Sequence, residues 1–190
     1  MTKYDYVGWF GHNHESYPVN SGIVDSRKKI YRGGAPGHHR DLRTMLINLK
    51  QLGVQTLIVM HGSEQGVDIA EEARLIKEMD LSLETFDWQD LVAEKKIGVA
   101  VKWEKLKQRL LAGNVYIHCI WGCDRSGGVV GRLRTEYYGW SKNEAQMELS
   151  YYGFAENSSA STLKAYQKEI LWFFDFPISE YTPVSVADPD

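Results

Sequence analysis

Apolar positions along the chain fall into short continuous runs separated by stripes at helical spacing. Val54 to Met60 and Val115 to Ile117 are near-continuous apolar runs, the pattern of strands covered by helices on both faces. Leu81, Leu83 and Thr85 alternate into Phe86-Asp87-Trp88, and Lys28-Lys29-Ile30-Tyr31-Arg32 predicts an earlier short strand. Between them, Asp41 is placed to cap a helix with Leu42, Met45, Leu46, Leu49 and Leu52 on one face, closed by Gly53. Asp68 opens a second with Ile69, Ala73, Ile76 and Met79 inward, and after an Asp-rich loop Val99, Trp103, Leu106 and Leu110 mark a third, ending at Gly113. Val129, Val130, Leu133 and Tyr137 stripe a helix after the second run, Ser141 to Glu144 form a capping-box pattern, and Leu163, Tyr166, Ile170 and Phe173 stripe a last helix. Alternation of this kind predicts an α/β fold: a central, mostly parallel sheet flanked by helices, with extra helices toward the C-terminus. Residues 1–27 read as an irregular arm packing Tyr4, Tyr6, Trp9 and Phe10 on the core, residues 28–176 as one domain, and residues 177–190 as a loose tail.

The remaining composition narrows the partners. At 190 residues and 43% hydrophobic content, one sizeable core is affordable. A net charge of -3 gives no global drive toward nucleic acid, so any anion site must be local. No apolar run is long enough to span a membrane, and Met1 to Asp5 does not begin a signal peptide. A soluble protein is expected, cytoplasmic or, after removal of a signal, secreted or periplasmic; oligomeric state is not legible.

The chemistry concentrates where the second apolar run ends, in His118-Cys119-Ile120-Trp121-Gly122-Cys123-Asp124-Arg125-Ser126-Gly127-Gly128. A strand, a tight loop and a helix start in this order make a phosphate cradle: backbone N-H groups of Ile120 through Arg125 turned inward, beside a helix N-terminus. The same field favours a thiolate at Cys119, and Arg125 offers a planar two-donor fork to phosphate oxygens. Attack by Cys119 on a phosphomonoester gives a phosphocysteine without metal or cofactor; Ser126 can donate to the departing thiolate and His118 can orient the cysteine from behind. A leaving oxygen needs an acid, and Asp87, Asp90 and Asp124 are the candidates, with Asp87 favoured because it ends a predicted strand at the sheet edge where ligands bind. Lys29, Arg32 and Arg40, with Lys28, His38 and His39, suggest a basic wall around a polyanion.

At these residues the chain resembles the cysteine-dependent protein tyrosine phosphatase superfamily, especially its compact dual-specificity-like branch. The match is His118-Cys119-x5-Arg125-Ser126, and it implies nucleophile, phosphate-binding and hydroxyl-assisting roles for Cys119, Arg125 and Ser126. The family's general acid commonly precedes the cysteine by about thirty residues, which agrees with Asp87. Tyr31 to Pro36 is similar to the early strand and loop of small bacterial and fungal relatives, some of which act on inositol phosphates. The resemblance implies a phosphorylated small molecule or phosphoprotein as substrate, with an inositol polyphosphate or other compact polyanion preferred over phosphotyrosine. Two departures stand out: no lysine in the loop, and a bulky Trp121. Asp124 directly before the arginine is similar to a subset that includes myotubularin-type phosphatases.

Plainer readings accompany these. Asp87 is otherwise a helix cap or turn residue, Asp124 an acceptor of hydrogen bonds or a partner for an arginine such as Arg132 or Arg134, and Cys123 a packing residue rather than a redox partner of Cys119. His12, His14, His38 and His39 lack the fixed spacing of a metal site. A phosphate-binding module without turnover, and a rhodanese-like sulfur transferase, whose loop is usually one residue shorter, are the competing function classes.

Overall fold

The computed structural model describes residues 8–10, 14–61, 67–155 and 158–182, and the chain divides after Gly122 into two compact units. The first unit is built on a six-stranded sheet in the order β1-β2-β3-β6-β4-β5. Its strands are β1 (Gly8–Trp9), β2 (Gly22–Asp25), β3 (Ile30–Gly33), β4 (Thr56–Val59), β5 (Ser82–Thr85) and β6 (Val115–His118). β3, β6, β4 and β5 run parallel in one register, so that Gly33, His118, Val59 and Thr85 end level with one another. β1 and β2 add antiparallel strands at one edge. The arm expected over residues 1–27 is therefore partly sheet; Tyr4, Tyr6 and His12 lie outside the described residues.

The parallel register explains the helices. Tyr31, Tyr116 and Leu57 stand side by side on one face, and α1 (Leu42–Gln51) and α2 (Ile69–Glu78) bury Leu46, Leu49, Leu75 and Ile76 against them. The α2 face differs from the expected stripe, because Glu72 rather than Ala73 is buried with Leu75 and Ile76. The opposite face carries Thr56, Ile58 and Glu84, and Arg109 of α4 (Val101–Ala112) reaches Thr56 and Glu84 there. The segment after Trp88 is also a helix, α3 (Trp88–Lys96), because Asp87 accepts from the Gln89 amide and caps it. Val99 is left exposed ahead of α4.

The second unit contains α5 (Arg125–Glu136), α6 (Lys142–Tyr151) and α7 (Ala165–Phe173). Buried Arg134 of α5 joins Glu148 of α6 through two charge-assisted hydrogen bonds of 2.8 and 2.9 Å and lies 4.3 Å from the Trp140 ring centre. Arg132 pairs with Glu136. Both arginines are thus paired with glutamates. The Ser141 capping box forms as the sequence requires. Tyr137 and Tyr166, expected inward, are half exposed, and the chain beyond Pro177 is not wholly loose: Tyr181 is buried against the carbonyls of Phe154 and Ala155.

Candidate active site

Cys119 follows the last residue of β6, at the end of the parallel strands where their carboxyl termini meet. Residues 119–124 bend from β6 to α5, and each half of this loop is fixed within its own unit. In the first, three successive carbonyls are tied outward. The Ala35 amide donates to Ile120 O at 2.9 Å, Asn20 Nδ2 to Trp121 O at 2.8 Å, and Arg32 Nη2 to Gly122 O at 2.8 Å. A trans peptide points its N-H opposite its carbonyl, so the amides of Trp121, Gly122 and Cys123 face the other way. That is the donor arrangement a phosphate needs, and it depends on Asn20, which no motif in the chain marks.

Close approach of two backbones requires the glycines here. Gly122 has a φ of +78°, and a Cβ on it would lie 2.4 Å from Gly33 C and 2.5 Å from Gly34 N. A Cβ on Gly34 would meet a Val19 methyl at 2.5 Å and Ile120 O at 2.8 Å. The β3 loop and the Cys119 loop therefore interlock main chain to main chain.

In the second unit, Arg125 and buried Ser126 open α5, a twelve-residue helix whose first-turn amides are available to an anion. Burial pushes the Asp124 carboxyl above its usual range, opposed by a hydrogen bond from the Cys123 side chain and by the charges of Arg125 and Lys164. Cys123 is thereby given a local role, as a neighbour of Asp124.

Beneath Cys119 lies a group of buried ionisable side chains. His118 Nε2 is 3.0 Å from Glu72 Oε1, both residues are buried, and the His61 ring lies 5.4 Å from that of His118. The Tyr116 hydroxyl donates to Gly34 O at 2.8 Å; burial raises it well above its usual range, the Ser21 hydrogen bond opposes this, and charge on Cys119 and Glu72 adds to it. Trp121, 44% exposed, meets His38 edge-on at 4.2 Å, and His39 lies 5.5 Å from it. Burial first, then the charge of His39, lowers the His38 imidazole below its usual range, and this flank of the loop is aromatic.

The basic wall does not form as expected. Lys29 precedes β3, level with the start of β6, so it sits at the opposite end of the sheet, about 13 Å from His118 at strand rise. Lys28 donates to the Leu111 carbonyl in the same region. Arg32 is buried under the loop it supports, rather than facing a ligand. Of the lysines and arginines in that predicted wall, only Arg40 follows β3 on the site side, in the loop that also carries His38 and His39 and leads to α1. Among the acids, Asp87 stands just beyond the end of β5; β4 separates β5 from β6, so the strands of Asp87 and Cys119 lie about 10 Å apart, one strand further than adjacency would give. Asp90 is paired with Lys102. Among the described residues, no three His, Cys, Asp or Glu side chains converge as metal ligands, and no helix is long and apolar enough to cross a membrane.

No protein-family model matches the chain, and no curated protein does. Solved structures do. The core catalytic domain of the PP-IP phosphatase SIW14 from S. cerevisiae aligns with a TM-score of 0.52 at 18% identity, over 77% of this chain and 80% of that one. TpbA from P. aeruginosa aligns with a TM-score of 0.52 at 16% identity, over 75% and 79%. A TpbA variant in complex with phosphotyrosine gives 0.51 at 13% identity, over 80% and 82%. The chain therefore shares the fold of these solved phosphatase structures, with the mostly parallel sheet that the sequence resemblance implied.

Proposed function

We propose that the protein is a metal-independent phosphomonoester hydrolase that works through a phosphocysteine on Cys119. The observation that carries this is the set of three outward-tied carbonyls at Ile120, Trp121 and Gly122, which turn successive amides toward one anion directly after the cysteine. Arg125 binds two equatorial oxygens in this reading, and the amides hold the charge that develops on them in the transition state. Ser126 donates to the thiolate as water hydrolyses the intermediate. Asp87, exposed at the site end of the sheet, protonates the leaving oxygen after releasing its cap on Gln89. Asp124 is a second reading for the acid, favoured by the burial that keeps its carboxyl protonated to higher pH. The test is turnover of an aryl phosphate with and without chelator. Activity should survive chelation and disappear in Cys119→Ser; a metal requirement, or activity in that variant, contradicts the proposal.

For the substrate, loss of Lys28, Lys29 and Arg32 from the site removes most of the motive for a crowded polyanion such as an inositol polyphosphate. The Trp121, His38 and His39 flank instead favours a phosphate on an aromatic ring, which can pack against these side chains. Among the structural neighbours, SIW14 is described as a PP-IP phosphatase, whereas a TpbA variant was crystallised with phosphotyrosine. Faster turnover of a phosphotyrosine peptide than of inositol polyphosphates, with the advantage lost in Trp121→Ala, is expected. The reverse order restores the polyanion reading.

A further inference from the structure

α3 and α4 meet in the run Ile97-Gly98-Val99-Ala100-Val101, which holds no hydrogen-bonding side chain. The turn is closed by its own backbone: Gly98 N donates to Lys95 O at 3.2 Å and Val99 N to Glu94 O at 2.9 Å. Its side chains are left in solvent. Ile97 is 75% exposed, Val101 71% and Val99 39%, and the first two are the most exposed large apolar residues among the described ones. Turns ordinarily carry Gly, Asn, Asp or Ser, and helices ordinarily start on a capping oxygen, yet α4 starts on Ala100 with no side-chain cap. An apolar patch kept outside against both preferences marks a contact surface.

Charge indicates what that surface meets. Lys95 and Lys96 precede the apolar run and Lys102 follows it, with no acid between residues 95 and 103. The acids before it are both engaged with Lys102: Glu94 accepts from the Lys102 amide at 2.7 Å, and Asp90 pairs with Lys102 Nζ. Glu104, the next acid after it, pairs with Lys107. Lysine is depleted in protein interfaces, whose anchors are mostly aromatic residues or arginine, and the run has neither. Aliphatic tips bracketed by lysines suit a bilayer, where the tips enter below the headgroups and the ammonium groups stay level with anionic phosphates. Salt screens charges beyond about 8 Å, so the net charge of -3 on the whole chain does not oppose a local contact. Along α4, Arg109 reaches Thr56 and Glu84, Lys105 Nζ lies 5.8 Å from the Phe86 ring centre, and Val101 is one turn further on. The run therefore stands toward the end of the sheet that carries Asp87 and Cys119.

We propose that residues 97–101 seat the protein on an anionic lipid bilayer, with Ile97, Val99 and Val101 in the interfacial layer and Lys95, Lys96 and Lys102 among the headgroups. This contact does not depend on the reaction at Cys119. Co-sedimentation of the full-length protein with phosphatidylcholine vesicles, with and without about one third phosphatidylserine, tests it. Binding to the phosphatidylserine vesicles is expected, weakening as salt is added. Ile97→Ser with Val101→Ser should lower the partition coefficient about tenfold or more, and Lys95→Ala with Lys96→Ala about tenfold. Unaltered melting temperatures show that the variants are folded. Should either double variant melt early, Ile97→Ser alone, at the most exposed of these positions, replaces it and should lose about threefold. No binding to phosphatidylserine vesicles, or binding that falls with the lysines and not with Ile97 and Val101, overturns the proposal. So does a dimer in sedimentation equilibrium that the serine double variant lacks, without vesicle binding, since a second copy of the chain would then cover the turn.

Discussion

Replacing Gly122 by alanine tests the interlock between the Cys119 loop and the β3 loop. The added Cβ would lie 2.4 Å from Gly33 C, 2.5 Å from Gly34 N and 2.8 Å from Gly33 O, all main-chain atoms that cannot swing aside. Restoring an ordinary contact of 3.4 Å moves one backbone by about 1 Å, and the φ of +78° adds about 1–2 kcal/mol for an L side chain. Misplacing catalytic donors by about 1 Å lowers rates by about 10²-fold. Gly98→Ala is the matched control, because Gly98 has a φ of +71° with nothing within 4 Å of its Cβ position. It should lose only the conformational part, about 1 kcal/mol or a melting shift of about 2–4 °C, with turnover unchanged. Both variants are assayed for aryl phosphate kcat/KM and thermal unfolding. Gly122→Ala turning over within threefold of the parent, with the melting shift of Gly98→Ala, would refute the account of the loop.

Three other perturbations probe the rest of the site. Arg32→Met deletes the charge-assisted bond to Gly122 O, worth about 1.5–3 kcal/mol, and kcat/KM should fall about tenfold or more with the melting temperature; a fall in stability alone contradicts a role in holding the loop. Asp87→Asn should flatten the alkaline limb of the kcat/KM profile if Asp87 is the acid. If Asp124→Asn flattens it instead, Asp124 holds the role: its carboxyl, raised by burial, is protonated below its folded pKa and loses the acid form as pH rises through that value. Lys29→Ala, at the far end of β3, should leave turnover of every phosphate substrate unchanged, and a selective loss toward polyanions would return that lysine to the site.

The cradle was legible because everything that defines it is local. Cysteine, arginine and glycines follow one another along a strand, loop and helix start, and spacing alone implies their neighbourhood. The parallel core strands were equally readable from their apolar runs. What supports the loop was not, since Asn20 and Arg32 reach it from about 90 to 100 residues away in sequence and carry no pattern of their own. The basic wall failed for a related reason: each residue of a strand advances the chain by about 3.3 Å, so Lys29 and the loop after Gly33 belong to opposite ends of the sheet. Glu72 did leave a trace. It falls on the same helical face as Leu75, Ile76 and Met79, and a charged residue in such a stripe marks a buried partner waiting to be found.

The central claim is that phosphate passes through Cys119. Rapid acid quench of the enzyme during aryl phosphate turnover, followed by mass spectrometry of the peptide containing residues 110–125, tests it most directly. The account predicts one phosphate on Cys119, absent in Cys119→Ser. Full turnover with no phosphate on that peptide, or with phosphate on another residue, would contradict it.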